Sequence, residues 1–324
     1  MTLTIDDVRA AAERIGPYAV RTPLLHSHAL DELVGGRVLI KAECLQRSGS
    51  FKVRGALNRI LQLSAQERER GIVAWSSGNH ALAVATVSRL LGVRATIVMP
   101  ADAPAPKIDG ARAAGAEIVT YDRLGESREE IGGAIAHERG AVIVRPFDDP
   151  AIMAGQGTVG LELMEQAAER GLVPDAVAVA ASGGGLASGV ATAVHAASSA
   201  ADVHVVEPAG FDDVTRSLRQ GERVANEPGG STICDALQAP SPGELTFPVL
   251  RENRVTGLVV DDDEVRRAMR VAFGTLKLVV EPGGATPLAA ALAGRLPLRD
   301  RTTVLVLSGG NVDPVLFAAV VSAG

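Results

Sequence analysis

Lysine is scarce in this sequence: Lys41, Lys52, Lys107 and Lys277 stand against 28 arginines. Arginine keeps its proton in proteins, so it supplies charge but not a nucleophilic amine. Chemistry that needs a free amine falls on those four positions; Lys52 is the candidate taken up below, and Lys41, Lys107 and Lys277 read as ordinary surface or packing residues. Cysteine is scarcer still, and Cys44 and Cys234 form neither a CxxC nor a ligand pair. That excludes a disulfide framework and a cysteine zinc site, and makes a reducing cytoplasm the expected compartment. No excess of basic charge is present, with 32 Lys plus Arg against 38 Asp plus Glu. A nucleic-acid or anionic-lipid partner is therefore not expected. Long apolar runs are missing as well. The best stretch, residues 176–197, is broken by Ser182, three glycines, Ser188 and His195, short of the roughly 20 consecutive apolar residues of a membrane helix. The opening MTLTIDDVRAAAERI carries acids and a helical period, with no basic-then-apolar leader pattern,.

What is present is a chain of 324 residues, enough for about two domains at roughly 150 residues each. At 47% hydrophobic and 22% charged, the composition excludes disorder, collagen and coiled coil. Short Val/Ile-rich runs recur at residues 71–75 (GIVAW), 95–99 (ATIVM), 117–121 (EIVTY) and 141–144 (AVIV). They continue at 176–180, 203–206, 258–260 and 303–307, after a helix expected at 157–170. Helical patterns follow most of them, which predicts an α/β fold with parallel strands. The proline-bearing segment 228–248 reads as surface loop. The acidic run at 261–264 (DDDE) reads as the capped start of a helix.

Four segments carry candidate chemistry. In SGSFKVRGA, residues 48–56, Lys52 falls at the start of a helical pattern. There the positive end of the dipole disfavours an ammonium and favours a nucleophilic amine; taken alone, it also reads as a solvated helix-start lysine. SSGNH joins a strand end to a helix start. Its hydroxyls, amide and backbone N–H groups suit a carboxylate, or else Ser77 or Asn79 simply caps the helix. SGGGL, at Ser182, Gly183, Gly184, Gly185 and Leu186, follows a strand and opens a helix. It reads as a phosphate cup or a tight turn. No GxxxxGK[ST] or GxGxxG accompanies it. SGGNVD ends another strand, with Ser308 placed either to bond a heteroaromatic nitrogen or to close a turn.

Together, SGSFKVRGA, SSGNH, SGGGL, EPGGA (281–285) and SGGN resemble the serine/threonine dehydratase group of fold-type II pyridoxal-phosphate enzymes. The resemblance runs from RTPL at residue 21 through SGGNVD. Serine racemase and 3-hydroxyaspartate ammonia-lyase are relatives in that fold. Cysteine and threonine synthases typically read SGNT there, and His80 argues against them. The resemblance implies a tryptophan synthase beta-like architecture of two open twisted sheets flanked by helices. It places a large cofactor domain at 1–62 and 148–324, with a small mobile substrate domain inserted at 63–147.

It further implies that Lys52 carries pyridoxal 5'-phosphate as a Schiff base and, once freed, removes the Cα proton. Phe51 would pack on the cofactor ring and Asn79 would bond its phenolic oxygen. Ser182, Gly183, Gly184, Gly185 and Leu186 would hold its phosphate, and Ser308 would face the pyridine nitrogen. A neutral hydroxyl there leaves the ring a weaker electron sink and favours rapid β-elimination. Ser76, Ser77, Gly78, Asn79 and His80 would receive the substrate carboxylate, with Ser77 as an acid/base on the opposite face and Arg128 as a substrate contact. Glu207, Phe211 and Asp213 match a divalent-cation loop for Mg²⁺ or Ca²⁺; as bare sequence they also read as surface turn acids.

The expected activity is deamination of L-threonine or L-serine to 2-oxobutyrate or pyruvate, by a homodimer or dimer-based oligomer. Serine racemase and threo-3-hydroxyaspartate ammonia-lyase are the alternatives on the same scaffold. A non-catalytic amino-acid or phosphate-ligand sensor is the alternative of another class. Two departures stand out: Ser182 where relatives usually have Gly, and Leu82 where Gln is common. The chain ends soon after SGGNVD, so feedback control by isoleucine through a C-terminal domain is not expected.

Overall fold

The structure, a computed structural model, describes residues 3–323 apart from 104 and 124. The side chains of 105–107 lie outside that description, and Lys107 with them. The chain begins with α1 (Ile5–Ile15), where Thr4 and Asp7 form a capping box and Val8, Ala11 and Ile15 are buried,. There follow β1 (Leu24–His26), α2 (His28–Val34), β2 (Arg37–Ala42), α3 (Lys52–Leu61) and α4 (Ala65–Arg70). A strictly alternating stretch comes next: β3 (Ile72–Trp75), α5 (Asn79–Leu91), β4 (Ala95–Pro100), α6 (Ala105–Ala113), β5 (Glu117–Tyr121), α7 (Arg128–Arg139) and β6 (Val142–Ile143). The chain continues through α8 (Pro150–Ala168), β7 (Ala176–Ala180), α9 (Gly185–Ala197), β8 (Asp202–Pro208), α10 (Asp213–Gln220) and α11 (Thr246–Glu252). It closes with β9 (Thr256–Val260), α12 (Asp262–Val271), α13 (Pro282–Leu292), β10 (Thr302–Leu307) and α14 (Pro314–Ser322).

Two sheets result. One has six strands in the order β1-β2-β10-β7-β8-β9, the other four in the order β5-β4-β3-β6. Only β1 pairs antiparallel; the other pairings are parallel. The central strands β7 and β10 are buried almost throughout, which is why they read as unbroken Val/Ala/Leu runs,. Because β2, β10 and β7 are parallel neighbours, the loops after them leave the same sheet edge side by side. That edge is where ligands of open α/β sheets bind. The four-stranded sheet supplies SSGNH from the end of β3. Its apolar core takes Ile15 and the α3 residues Val53, Ala56, Leu57 and Ile60 from outside 63–147.

Two local expectations need correction, and a third, for Lys41, is narrowed to packing. The helix expected at 157–170 begins at Pro150, because Asp149 caps it and Pro150 occupies its first turn,. Segment 228–248 is not all surface loop: Cys234, Leu237 and Phe247 are buried, and it backs the glycine triplet. Lys41, expected to be an ordinary surface or packing residue, is fully buried. Its Nζ donates to Glu162 Oε2 at 2.7 Å, Thr22 O at 2.8 Å and Gln166 Oε1 at 3.0 Å. Glu162 also accepts from Arg54, itself fully buried and paired with Glu43. Four charges thus tie β2, α3 and α8 together, with Arg54 two residues along α3 from Lys52. The DDDE run is a capping box between Asp261 and Glu264, as its sequence predicts. Among the described residues no helix is long and apolar enough to cross a membrane.

Candidate active site

Lys52 is the first residue of α3, which has no side-chain N-cap bond. Its Nζ donates to the Pro146 carbonyl oxygen at 2.7 Å and lies 5.2 Å from the Phe51 ring centroid. Burial pushes the amine down to about 8, against the nearby Glu281 carboxylate, which raises it. An amine so placed is largely free of its proton at mildly alkaline pH, the condition for nucleophilic attack. The approach to it is stitched to the loop after β10. Phe51 N donates to Ser308 O at 3.0 Å, Gly310 N to Gly49 O at 2.9 Å, and Asn311 Nδ2 to Ser48 O at 2.7 Å. Ser48 is held in the left-handed region at φ 58°, a conformation costing about 1–3 kcal/mol for a non-glycine residue. The Ser48 and Ser50 hydroxyls are buried without a partner among the described residues.

SSGNH turns from β3 into α5. The N-cap of α5 is Gly78, with no side-chain bond, so neither Ser77 nor Asn79 caps the helix. Ser76 Oγ instead accepts from Gly78 N at 3.1 Å. The first-turn N–H groups of α5 therefore lack a side-chain acceptor and present a site for an anion. Asn79 is anchored at both ends: Nδ2 donates to Glu281 Oε1 at 2.6 Å, and Oδ1 accepts from Asn311 Nδ2 at 2.8 Å. One amide hydrogen is left for a ligand. His80 is buried, 2.9 Å from the Val144 carbonyl oxygen through Nε2. Burial first, then the Lys52 charge, push it down to about 3 despite that bond. It is neutral, with Nε2 carrying the proton because a carbonyl only accepts.

The glycine triplet turns from β7 into α9, whose N-cap is Gly184 at φ 90°, again without a side-chain cap. Only glycine adopts that backbone readily. A Cβ on Gly183 would lie 2.4 Å from the Phe147 ring. The carbonyl of Gly183 accepts from Thr246 Oγ1 at 2.6 Å and Gly243 N at 3.1 Å. Ser182 Oγ accepts from Ala239 N at 3.1 Å, so its hydroxyl fastens the segment 239–246 to the triplet. Asp148 fixes the same segment through the N–H groups of Glu244 and Leu245. The crossover 144–149 thus serves three parts of the site, binding His80 and Lys52 through carbonyls and packing Phe147 on the triplet.

Ser308 follows β10 directly and is buried, as is Leu186. Leu82 is half-buried in α5. Arg128, expected as a substrate contact, starts α7 at the surface and pairs there with Glu129 at 2.8 Å. Sequence reading missed Glu281, Asn311, Pro146, Phe147 and Thr246. For Glu281 and Asn311 the motifs EPGGA and SGGN were the available signal. The two thiols are inert: burial raises Cys44 and Cys234 to about 12.

Glu207, near the end of β8, and Asp213, the first residue of α10, are both buried. Glu207 accepts from Val214 N, Thr215 N and Thr215 Oγ1, capping α10. Burial first, with Asp213 adding to it, raises its carboxyl to about 8. Burial likewise raises Asp213 to about 6. Asp213 Oδ1 accepts from Asn226 at 2.6 Å, and Oδ2 is buried with no partner among the described residues. Two buried acids, one with an orphaned oxygen, fit a hard cation.

The residues present also fit pyridoxal phosphate. An amine tuned by burial, a glycine cradle at an uncapped helix start, and orphaned serine hydroxyls beside the lysine are all in place. Comparison with known proteins agrees. Residues 15–309 match the pyridoxal-phosphate dependent enzyme family. The chain is 41% identical over 320 residues to L-threo-3-hydroxyaspartate ammonia-lyase of Saccharomyces cerevisiae, covering 98% of this chain and 96% of that protein. It is 41% identical to serine racemase of Oryza sativa subsp. indica, covering 95% and 91% respectively. Among solved structures, a threonine deaminase from T.th. is 48% identical, with TM-score 0.89 over 96% of this chain and 99% of that one.

Proposed function

Because the chain belongs to the family of pyridoxal-phosphate dependent enzymes, we propose that it is an ammonia-lyase deaminating L-threonine or L-serine to 2-oxobutyrate or pyruvate. The observation that carries this reading is Lys52: an amine lowered to about 8, aimed at a carbonyl, and flanked by two uncapped helix starts. The 48% identity to a threonine deaminase supports the choice of substrate.

The cofactor, when bound, supplies the electron sink that labilises bonds at the amino acid's α-carbon. Lys52 would hold it, Gly183, Gly184 and Gly185 with Ser182 and Leu186 would take its phosphate, and Phe51, Asn79 and Ser308 would frame its ring. The chain's own groups do the rest. The substrate carboxylate docks on the N–H groups of Gly78, Asn79 and His80, assisted by Ser76 and Ser77. The Lys52 amine takes the Cα proton. His80, pushed down to about 3, is too weak a base to take that proton in place of Lys52, and, being neutral, sets no positive charge against the ammonium that forms. Ser308, a hydroxyl, does not hold a ring nitrogen charged, which favours β-elimination over slower alternatives.

Two other activities are kept because the relatives named above include a serine racemase and a hydroxyaspartate ammonia-lyase. Ser77 stands on the substrate loop where a racemase would need its second acid/base. A non-catalytic sensor would have no use for an amine poised near about 8. Glu207 and Asp213 would hold Mg²⁺ or Ca²⁺, with the Phe211 carbonyl as a further oxygen. A homodimer or dimer-based oligomer belongs to the same reading.

The test is a panel of L-threonine, L-serine and L-threo-3-hydroxyaspartate, read by oxoacid release and chiral analysis of residual amino acid. Highest kcat/KM for L-threonine or L-serine with oxoacid release supports the proposal. Preference for hydroxyaspartate, or accumulation of D-serine without oxoacid, overturns it in favour of the corresponding relative.

A further inference from the structure

Away from this site, at the corner where edge strand β1 turns into α2, two histidines and an aspartate converge. Among the described residues His26, His28 and Asp31 are the only group of three His, Cys, Asp or Glu side chains whose donor atoms all lie within 4.8 Å of one another. We propose that they form a binding site for a borderline transition-metal dication of the Zn²⁺ class.

The local fold explains why the three meet. His26 is the last residue of β1, and Ser27 caps α2 by accepting from Leu30 N. That cap sets His28 in the first turn, with Asp31 three residues on and hence on the same helix face. The rings of His26 and His28 lie 4.7 Å apart, edge to face at 74°. His26 Nε2 is 2.7 Å from Asp31 Oδ2. The other oxygen, Oδ1, accepts from Val38 N at 2.8 Å. The carboxylate is thereby oriented by a backbone donor from β2, the outer bond that fixes a ligand's direction in metal sites.

Two imidazole nitrogens and one carboxylate oxygen make the donor set for Zn²⁺, Co²⁺ or Ni²⁺, whereas Mg²⁺ and Ca²⁺ want six or more oxygens. Metal–ligand bonds of about 2.0–2.1 Å in tetrahedral geometry separate ligand atoms by about 3.3 Å. The His26–Asp31 contact has to open by only about half an ångström to reach that. Binding replaces that hydrogen bond by two bonds to the cation, the His26 Nε2 proton moving to Nδ1 as the ring changes tautomer,. Both histidines are exposed, so the cation has a path in and water can fill the fourth position,. A bound cation would clip β1, α2 and, through Asp31, β2 together.

The experiment uses chelator-treated holoenzyme, titrated with Zn²⁺ by calorimetry and with Co²⁺ by visible absorption. The proposal expects one equivalent of Zn²⁺ that persists in a Glu207→Gln/Asp213→Asn control. It also expects Co²⁺ ligand-field bands abolished by Zn²⁺, and binding weakened by about tenfold or more in His28→Ala. His28→Asn keeps the His26–Asp31 bond and a polar first turn, so lost Zn²⁺ binding there with an unchanged thermal midpoint separates ligation from folding. Equal Zn²⁺ affinity in the wild type and His26→Ala/His28→Ala, or no ligand-field bands, overturns the site and leaves a hydrogen-bonded fastener.

Discussion

Asn79 and Glu281, 202 residues apart, meet at 2.6 Å through Asn79 Nδ2 and Glu281 Oε1. The contact joins the SSGNH turn at the start of α5 to the start of α13. It also brings a buried carboxylate within electrostatic reach of Lys52, whose amine it raises against the larger lowering effect of burial. Glu281 is thus a positioning residue acting on two groups at once.

Glu281→Gln should therefore lower the Lys52 pKa further. In the apoenzyme, capture of added pyridoxal phosphate requires the neutral amine, so its rate rises with pH around a midpoint near about 8,. Removing the carboxylate removes the upward contribution, and the midpoint moves to lower pH. Capture rates followed by absorbance from about pH 6 to 10 check this. An unchanged or raised midpoint contradicts the assignment.

Lys52→Arg keeps the positive charge but cannot offer an amine. Turnover should fall by about 10²–10⁴-fold or more. Borohydride should then leave no cofactor covalently attached, as read by mass spectrometry of the digested protein.

Gly183→Ala places a methyl 2.4 Å from the Phe147 ring. Overpacking of about 1–3 kcal/mol at the cradle should weaken cofactor affinity by about 5–150-fold. Fluorescence titration of the apoenzyme measures it, and Phe147→Leu in the same chain should recover part of the loss.

Arg54→Met breaks the buried charge network of β2, α3 and α8 and strands Glu43, which is fully buried. Removing one partner of such a pair costs about 3–5 kcal/mol, more than removing both. Urea unfolding of Arg54→Met beside Arg54→Met/Glu43→Gln should show the double variant regaining stability.

The elements legible in the sequence were those encoded locally. Strand and helix alternation, the lysine at a helix start, and the glycine triplet between β7 and α9 each sit within one run of residues. The capping box at Asp261 was legible for the same reason. What escaped depends on packing between distant segments. No periodicity announces that Pro146 offers its carbonyl to Lys52, or that Glu281 reaches Asn79. The segment 228–248 looked like surface because its prolines and glycines break both patterns. Its buried residues come singly or in adjacent pairs, Cys234, Leu237, Pro242 with Gly243 and Thr246 with Phe247, between more exposed ones. Lys41 looked ordinary because its partners Glu162 and Gln166 lie more than a hundred residues away.

The most direct measurement is a product balance on L-threonine and L-serine, with ammonia, oxoacid and both enantiomers of residual amino acid quantified in one reaction. The account predicts one ammonia and one oxoacid for each amino acid consumed, abolished in Lys52→Arg. Consumption of the L-enantiomer matched by its D-enantiomer, with neither ammonia nor oxoacid formed, would contradict it.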